Sequence, residues 1–431
     1  MRMQRHLDLE MRRGRVVCRR DFLKSVSAAG TLAAGSLGFR DLVTLKAEEL
    51  RKEGMACILL WMQGGPSQFD TFTPKPDHTN GAGINAIRTN IPGIHIAENL
   101  PNVARQMDKL AVMRSLTNKE GNHLRATYQL HTGYVLNASI KHPTLGSLVS
   151  NELGDPECEI PSFVRIGGRG VAGGDAGILG VEYNPFVLNS PERPPENTEL
   201  YTSAFRHRRR LGLMDRLEAE GPVDIQAAIH DHRKVYHKAS KMILSPQMEA
   251  FEVDQEPDYI QQGYGRGQFA KGCLLARRLI ETGVTFVEVS LGNWDTHQDN
   301  NDRTKDLTDQ LDQPFAYLLE DLEQRGMLDK TLVIWMGEFG RTPKINARGG
   351  RDHFPAAFNA AIAGAGVRGG QVIGETESSG QAVSDRPIEV PDLFRSFFHA
   401  LKLDADKENM SAIGRPLPLV EGGTTVEELF G

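Results

Sequence analysis

Six short apolar runs, each handing over to a polar loop, constrain this chain more than any other feature. Residues 55–62 read MACILLWM, and residues 109–115, 162–168, 284–291, 331–337 and 358–366 are of the same kind. Apolar runs of this length are what strands look like when both faces of a sheet are covered. Between them, residues 99–109, 142–153, 268–281 and 304–325 space apolar side chains three and four apart, the period of an amphipathic helix. Gly283, just past ARRLIET, reads as a helix stop. The alternation predicts an α/β fold: a largely parallel central sheet flanked by helices.

At 431 residues the chain can bury a sizeable core. The run PERPP at 191–195 breaks the pattern, and the charged, helical stretch of about 190–265 reads as an insertion or cap. The expectation is therefore one α/β domain over residues 48–431. A formal net charge of −6 argues against a nucleic-acid partner, which calls for a basic balance or stripe. The RHRRR cluster at 206–210 reads as a solvated helix face.

At the N-terminus, CRRDFLK (residues 18–24) precedes a soft Ala/Gly/Ser-rich stretch, the pattern of a twin-arginine export leader. An interfacial helix would need a charged face that this segment lacks. The leader is taken as residues 1–47, with Ala47 the best cleavage candidate. It predicts the twin-arginine export machinery as a partner and a periplasmic or extracellular destination. No other stretch is apolar for long enough to span a bilayer. Beyond Cys18 the chain has Cys57, Cys158 and Cys273. Cys57 reads as core, and Cys158 and Cys273 could pair or stay free.

Ligands of parallel α/β sheets bind beyond the carboxyl ends of the strands, so the residues after each run matter most. QGGPSQFDTFTPKP follows the first and carries Asp70; GNWDTHQDN follows the fourth and carries Asp295 and His297. GEFGRTPK follows the fifth with Glu338, Phe339 and Arg341, and GGRDHFP supplies Arg351, Asp352 and His353. Carboxylates and imidazoles without thiolates suit a divalent ion such as zinc, manganese, magnesium or calcium. NHLRATYQLHTGY reads as a helix starting near His123, its first amides open to an anion and Arg125 close by. The GxGxxG run at 168–173 is not followed by a helical period, so it is not read as a dinucleotide site.

These motifs, with the leader and the closing GRPLPLVEGGTTVEELF, resemble the secreted bacterial family catalogued as domain of unknown function 1501. The resemblance runs nearly end to end and implies an alkaline-phosphatase/sulfatase-like fold with a helical insertion. It also implies a metal-dependent hydrolase of sulfate or phosphate esters, acting on a small anionic ester or a sulfated polysaccharide. By that resemblance Asp295, His297, Glu338, His353 and Asp70 would hold the divalent ion. His123 and Arg341 would act on the anion. Where sulfatases place a Cys or Ser nucleophile at the start of a helix ending in Thr-Gly, this chain has His123, with Thr132 and Gly133 at the far end. His123 could be nucleophile, ligand or general base. A non-catalytic protein that keeps the fold to bind a ligand or partner is the alternative.

Overall fold

The computed structural model describes residues 54–168, 170–171, 175–219, 226–411 and 414–431. The leader expected at 1–47 lies outside them, as do Arg169, Ala172 and Gly173 of the glycine-rich run.

All six apolar runs are strands. They are β1 (Ala56–Met62), β2 (Leu110–Thr117), β3 (Phe163–Ile166), β5 (Phe286–Leu291), β6 (Thr331–Met336) and β9 (Phe358–Ala363). Short strands β4 (Phe186–Leu188), β10 (Gln371–Ile373) and β11 (Ile388–Glu389) complete a nine-stranded sheet. Its order is β10-β2-β9-β6-β1-β5-β3-β4, with β11 also pairing with β2. Every pairing is parallel except those of β9, which runs against β2 and β6. A parallel pair needs a crossover, usually helical, whereas β6 and β9 are joined by a small hairpin, β7 (Gly340–Arg341) with β8 (His353–Phe354). Every residue of β1, β6 and β9 is buried, which explains their unbroken apolar sequence.

Helices α1 (His123–Thr132), α2 (Leu145–Leu153), α5 (Gln268–Glu281), α6 (Asn300–Gln324) and α7 (Val390–Ala400) accompany the sheet. Two more, α3 (Ala204–Ala219) and α4 (Gln226–Ile243), occupy the stretch expected as an insertion, between edge strand β4 and α5. The segment expected as a helix at 99–109 is instead a 3₁₀ helix, Val103–Lys109. The Asp312 carboxylate of α6 accepts the Asn102 and Val103 amides at 2.8–3.0 Å, and Ala104 and Met107 pack inward at three-residue spacing. Cys57, Cys158 and Cys273 are all free thiols.

One charged pair is buried within the sheet. Arg165 on β3 and Glu288 on β5 are register partners, Nε to Oε2 3.2 Å, each 1% exposed. Asp175 takes Arg165 Nη2 at 2.9 Å, and His131 Nε2 lies 3.6 Å from Glu288 Oε1. Burial pushes the Glu288 carboxyl up, but Arg165 and His131 outweigh it and hold the group at about 2. A depressed carboxyl stabilises the fold above its unfolded pKa and stops doing so as pH falls through the folded one. Acid unfolding should therefore steepen between the ordinary glutamate value of 4.5 and about pH 2. Glu288→Gln should flatten that window in pH-dependent urea titrations. At neutral pH it should cost about 3–5 kcal/mol, because Arg165 loses its buried partner.

Candidate metal centre

Three adjacent parallel strands, β6, β1 and β5, aim their carboxyl ends at one place. The β1 exit supplies Gly64 and Gly65, the β5 exit Asp295 and His297, and the β6 exit Glu338 and, in the hairpin, Arg341 and His353. Helix α1 contributes His123 at its first position. Asn122 caps that helix, its side chain accepting from the amides of Leu124 and Arg125, and Gly133 ends it with φ of 78°.

Asp295 is the hub. His297 Nε2 lies 3.1 Å and His353 Nε2 3.3 Å from its Oδ1, and His123 Nε2 lies 3.4 Å from its Oδ2. The far side of each ring is engaged. His353 Nδ1 donates to the Gly121 carbonyl at 2.8 Å, His297 Nδ1 to Asp352 Oδ1 at 2.7 Å, and His123 Nδ1 to Glu338 Oε1 at 2.7 Å. A carbonyl or carboxylate oxygen only accepts, so each Nδ1 carries the hydrogen and each neutral ring turns its Nε2 lone pair inward. The Nε2 atoms of His297 and His353 are 3.0 Å apart, and His123 Nε2 is buried without a hydrogen-bond partner. Lone pairs brought this close repel unless a proton or a cation sits among them.

His123, Asp295 and His353 offer ligand atoms within 4.8 Å of one another, and His297 adds a third imidazole beside them. The donor set therefore fits a divalent ion. The ring-to-carboxylate bonds behind His123 and His297 are those that orient metal-bound histidines. Burial pushes the Asp295 carboxyl up, but the Arg341 hydrogen bond and charge prevail and hold it at about 2. The Glu338 bond raises the His123 imidazole against burial, whereas burial lowers that of His353.

Three of the expected site residues are engaged by other groups. Glu338, read as a ligand, is 1% exposed and engaged by the His123 ring and, at 2.9 and 3.1 Å, by the Gly64 amide. It fixes the orientation of the His123 ring. Arg341, read as gripping an anion, is fully buried. It donates to the carbonyls of Gly64, Gly65 and Arg351 and, at 2.7 Å, to Asp295 Oδ1, so it braces Asp295. Asp70, read as a further ligand, is fully buried among Ser67, Asn300 and Arg351 and touches no ligand atom of the cluster. Asp352 was legible only as part of the RDH run; nothing in spacing shows that it faces His297.

Glycines let the loops meet. Gly64 has φ of 118°, and a Cβ there would lie 2.5 Å from the Asp295 amide nitrogen. A Cβ on Gly350 would meet the His297 carbonyl carbon at 2.0 Å. Both positions exclude any side chain.

A largely parallel α/β sheet with three histidines and an aspartate gathered past its central strands defines an α/β protein with a candidate metal centre. The chain belongs to the family described as "Protein of unknown function (DUF1501)", whose model matches residues 55–430. No curated relative matches the chain. Among solved structures it is similar to a sulfatase from Pseudoalteromonas sp., with 14% identity, TM-score 0.39, and coverage of 84% of this chain and 71% of that one. It is also similar to a lipoteichoic acid synthase from Listeria monocytogenes (8%, 0.38, 88% and 80%). A third is a protein of the alkaline phosphatase superfamily from Vibrio parahaemolyticus (10%, 0.37, 86% and 77%). At such identities this chain's chemistry has to be read from its own side chains.

Proposed function

We propose that this protein is a metal-dependent hydrolase of phosphate or sulfate esters, exported through the twin-arginine route to the periplasm or beyond. One observation carries the reading: three imidazole lone pairs, each fixed by a bond on the opposite nitrogen, converge on the Asp295 carboxylate. His123, Asp295, His297 and His353 would hold the ion. A set rich in imidazole nitrogen favours zinc over manganese, magnesium or calcium. A divalent ion there supplies Lewis-acid stabilisation of charge on the ester's oxygens.

The chain's own groups do the rest. Asp295 stays ionised beside Arg341 and supplies the site's negative charge. Glu338 and Asp352 hold the Nδ1 protons of His123 and His297, which keeps both rings from turning. The side chains of Asp295, His123 and His297 are 33–42% exposed, so the cluster is open to solvent and an ester could reach it from there. Export rests on the arginine pair Arg19 and Arg20 and the soft apolar stretch after it.

Metal-dependent binding without turnover is the second reading, favoured by the imidazole where a nucleophilic hydroxyl or thiol would start α1. Metal analysis of protein purified without chelator, joined to a screen of phosphate and sulfate monoesters, separates the two. We expect a bound ion and chelator-sensitive turnover. An ion without turnover supports the binding reading, and the absence of both overturns the metal centre itself. If turnover is found, His123→Ala should abolish it and release the ion together.

A further inference from the structure

Half of the exposed large apolar side chains among the described residues lie on or beside the α3–α4 pair. Tyr201 is 89% exposed, Phe205 74%, Leu217 64% and Leu213 57%, with Val235 and Tyr236 near half. Interleaved with them on α3 are Arg206, Arg208, Arg209, Arg210 and Arg216, all exposed and free of ion pairs among the described residues. At about 100° per residue, Phe205, Arg216, Arg209, Leu213, Arg206, Leu217 and Arg210 follow one another around a single arc. Apolar and cationic groups are interspersed along it. The opposite side is occupied: His207 Nε2 meets Ser240 Oγ at 2.9 Å and Asp215 meets His237 at 2.8 Å, both across to α4.

We propose that this arc of α3 is a docking surface for anionic phospholipid bilayers. A chain with a formal net charge of −6 has concentrated five arginines on one helix, which matches an anionic surface. Charge alone would equally suit a sulfated polysaccharide, but Phe205, Leu213 and Leu217 would then stay in water. Inserted at the boundary between headgroups and acyl chains, they lose that exposure while the arginines remain among phosphates. A second copy of the chain is a poor occupant, because the arc would set arginines against arginines. An arc of mixed apolar and cationic side chains on one helix suits lying in the plane of the bilayer surface.

The test uses the whole chain and co-sedimentation with vesicles of phosphatidylglycerol and phosphatidylcholine against pure phosphatidylcholine. Binding should require phosphatidylglycerol and weaken with salt. The triple variant R206Q/R209Q/R210Q should bind on the order of 100-fold more weakly. The double variant F205S/L213S should bind about tenfold or more weakly, with circular dichroism and metal content unchanged in both. Since the leader could itself touch lipid, the reading stands on the loss in the variants. Vesicle binding equal in parent and variants overturns the proposal, as does no binding at all. So does capture of a sulfated polysaccharide that the arginine variant loses and the serine variant keeps.

Discussion

Glu338→Gln should bind a divalent ion 10- to 100-fold more weakly than the parent chain, although Glu338 is not placed as a ligand. The amide keeps the size of the side chain and an acceptor for the Gly64 amide, but it removes the negative charge behind His123. Without that carboxylate the His123 ring is a weaker donor and its Nδ1–H bond loses its charge-assisted strength. Asp352→Asn should behave alike, acting through His297. Asp295→Asn should lose far more, because it removes the only carboxylate in the ligand set. Competition against a chelating dye orders the three. A Glu338→Gln chain as deficient as Asp295→Asn would return Glu338 to the ligand set. A Glu338→Gln chain as tight as the parent would remove it from the site.

Gly64→Ala should be the most damaging single substitution at the β1 exit. Its Cβ would stand 2.5 Å from the Asp295 amide nitrogen and 2.8–2.9 Å from Trp294 backbone atoms, none of which belongs to a side chain that can swing away. The residue also holds a φ of 118°, which an L side chain resists. Adding overpacking to backbone strain, the loss should be at least about 3 kcal/mol. The same residue donates to Glu338 and accepts from Arg341, so displacing it disturbs both braces of the centre. Chemical denaturation measures the first effect and ion affinity the second. A Gly64→Ala chain as stable as the parent would mean that the β1 exit and the β5 exit are not pressed together.

The long strands were legible because burial on both faces leaves an unbroken apolar signature, as in MACILLWM. β4, β10 and β11 were not, because two or three residues carry no period. Helix α7 has Leu393, Phe394, Phe397 and Phe398 buried at helical spacing, a periodicity that the sequence itself carries. At the site, Asp295 and His297 could be named because they follow a strand, and His353 because its turn precedes the last long one. Their division of labour with Glu338 and Asp352 could not. Whether a carboxylate faces an ion or the back of an imidazole depends on which loops meet, and Gly64 and Gly350 decide that by tertiary packing. The surroundings of Arg341 were hidden for a similar reason: an arginine in a loop reads as free, whereas three carbonyls enclose this one.

The bond from His353 to the Gly121 carbonyl joins positions 232 apart. The candidate centre is thus assembled late: the last of its candidate ligands is synthesised long after the first, and no fragment ending before the hairpin holds the complete set. An ion held there would require that the β5 exit, the start of α1 and the hairpin have met. By linkage, such an ion would act as a removable staple between the chain's early and late parts, with a strength set by its free concentration.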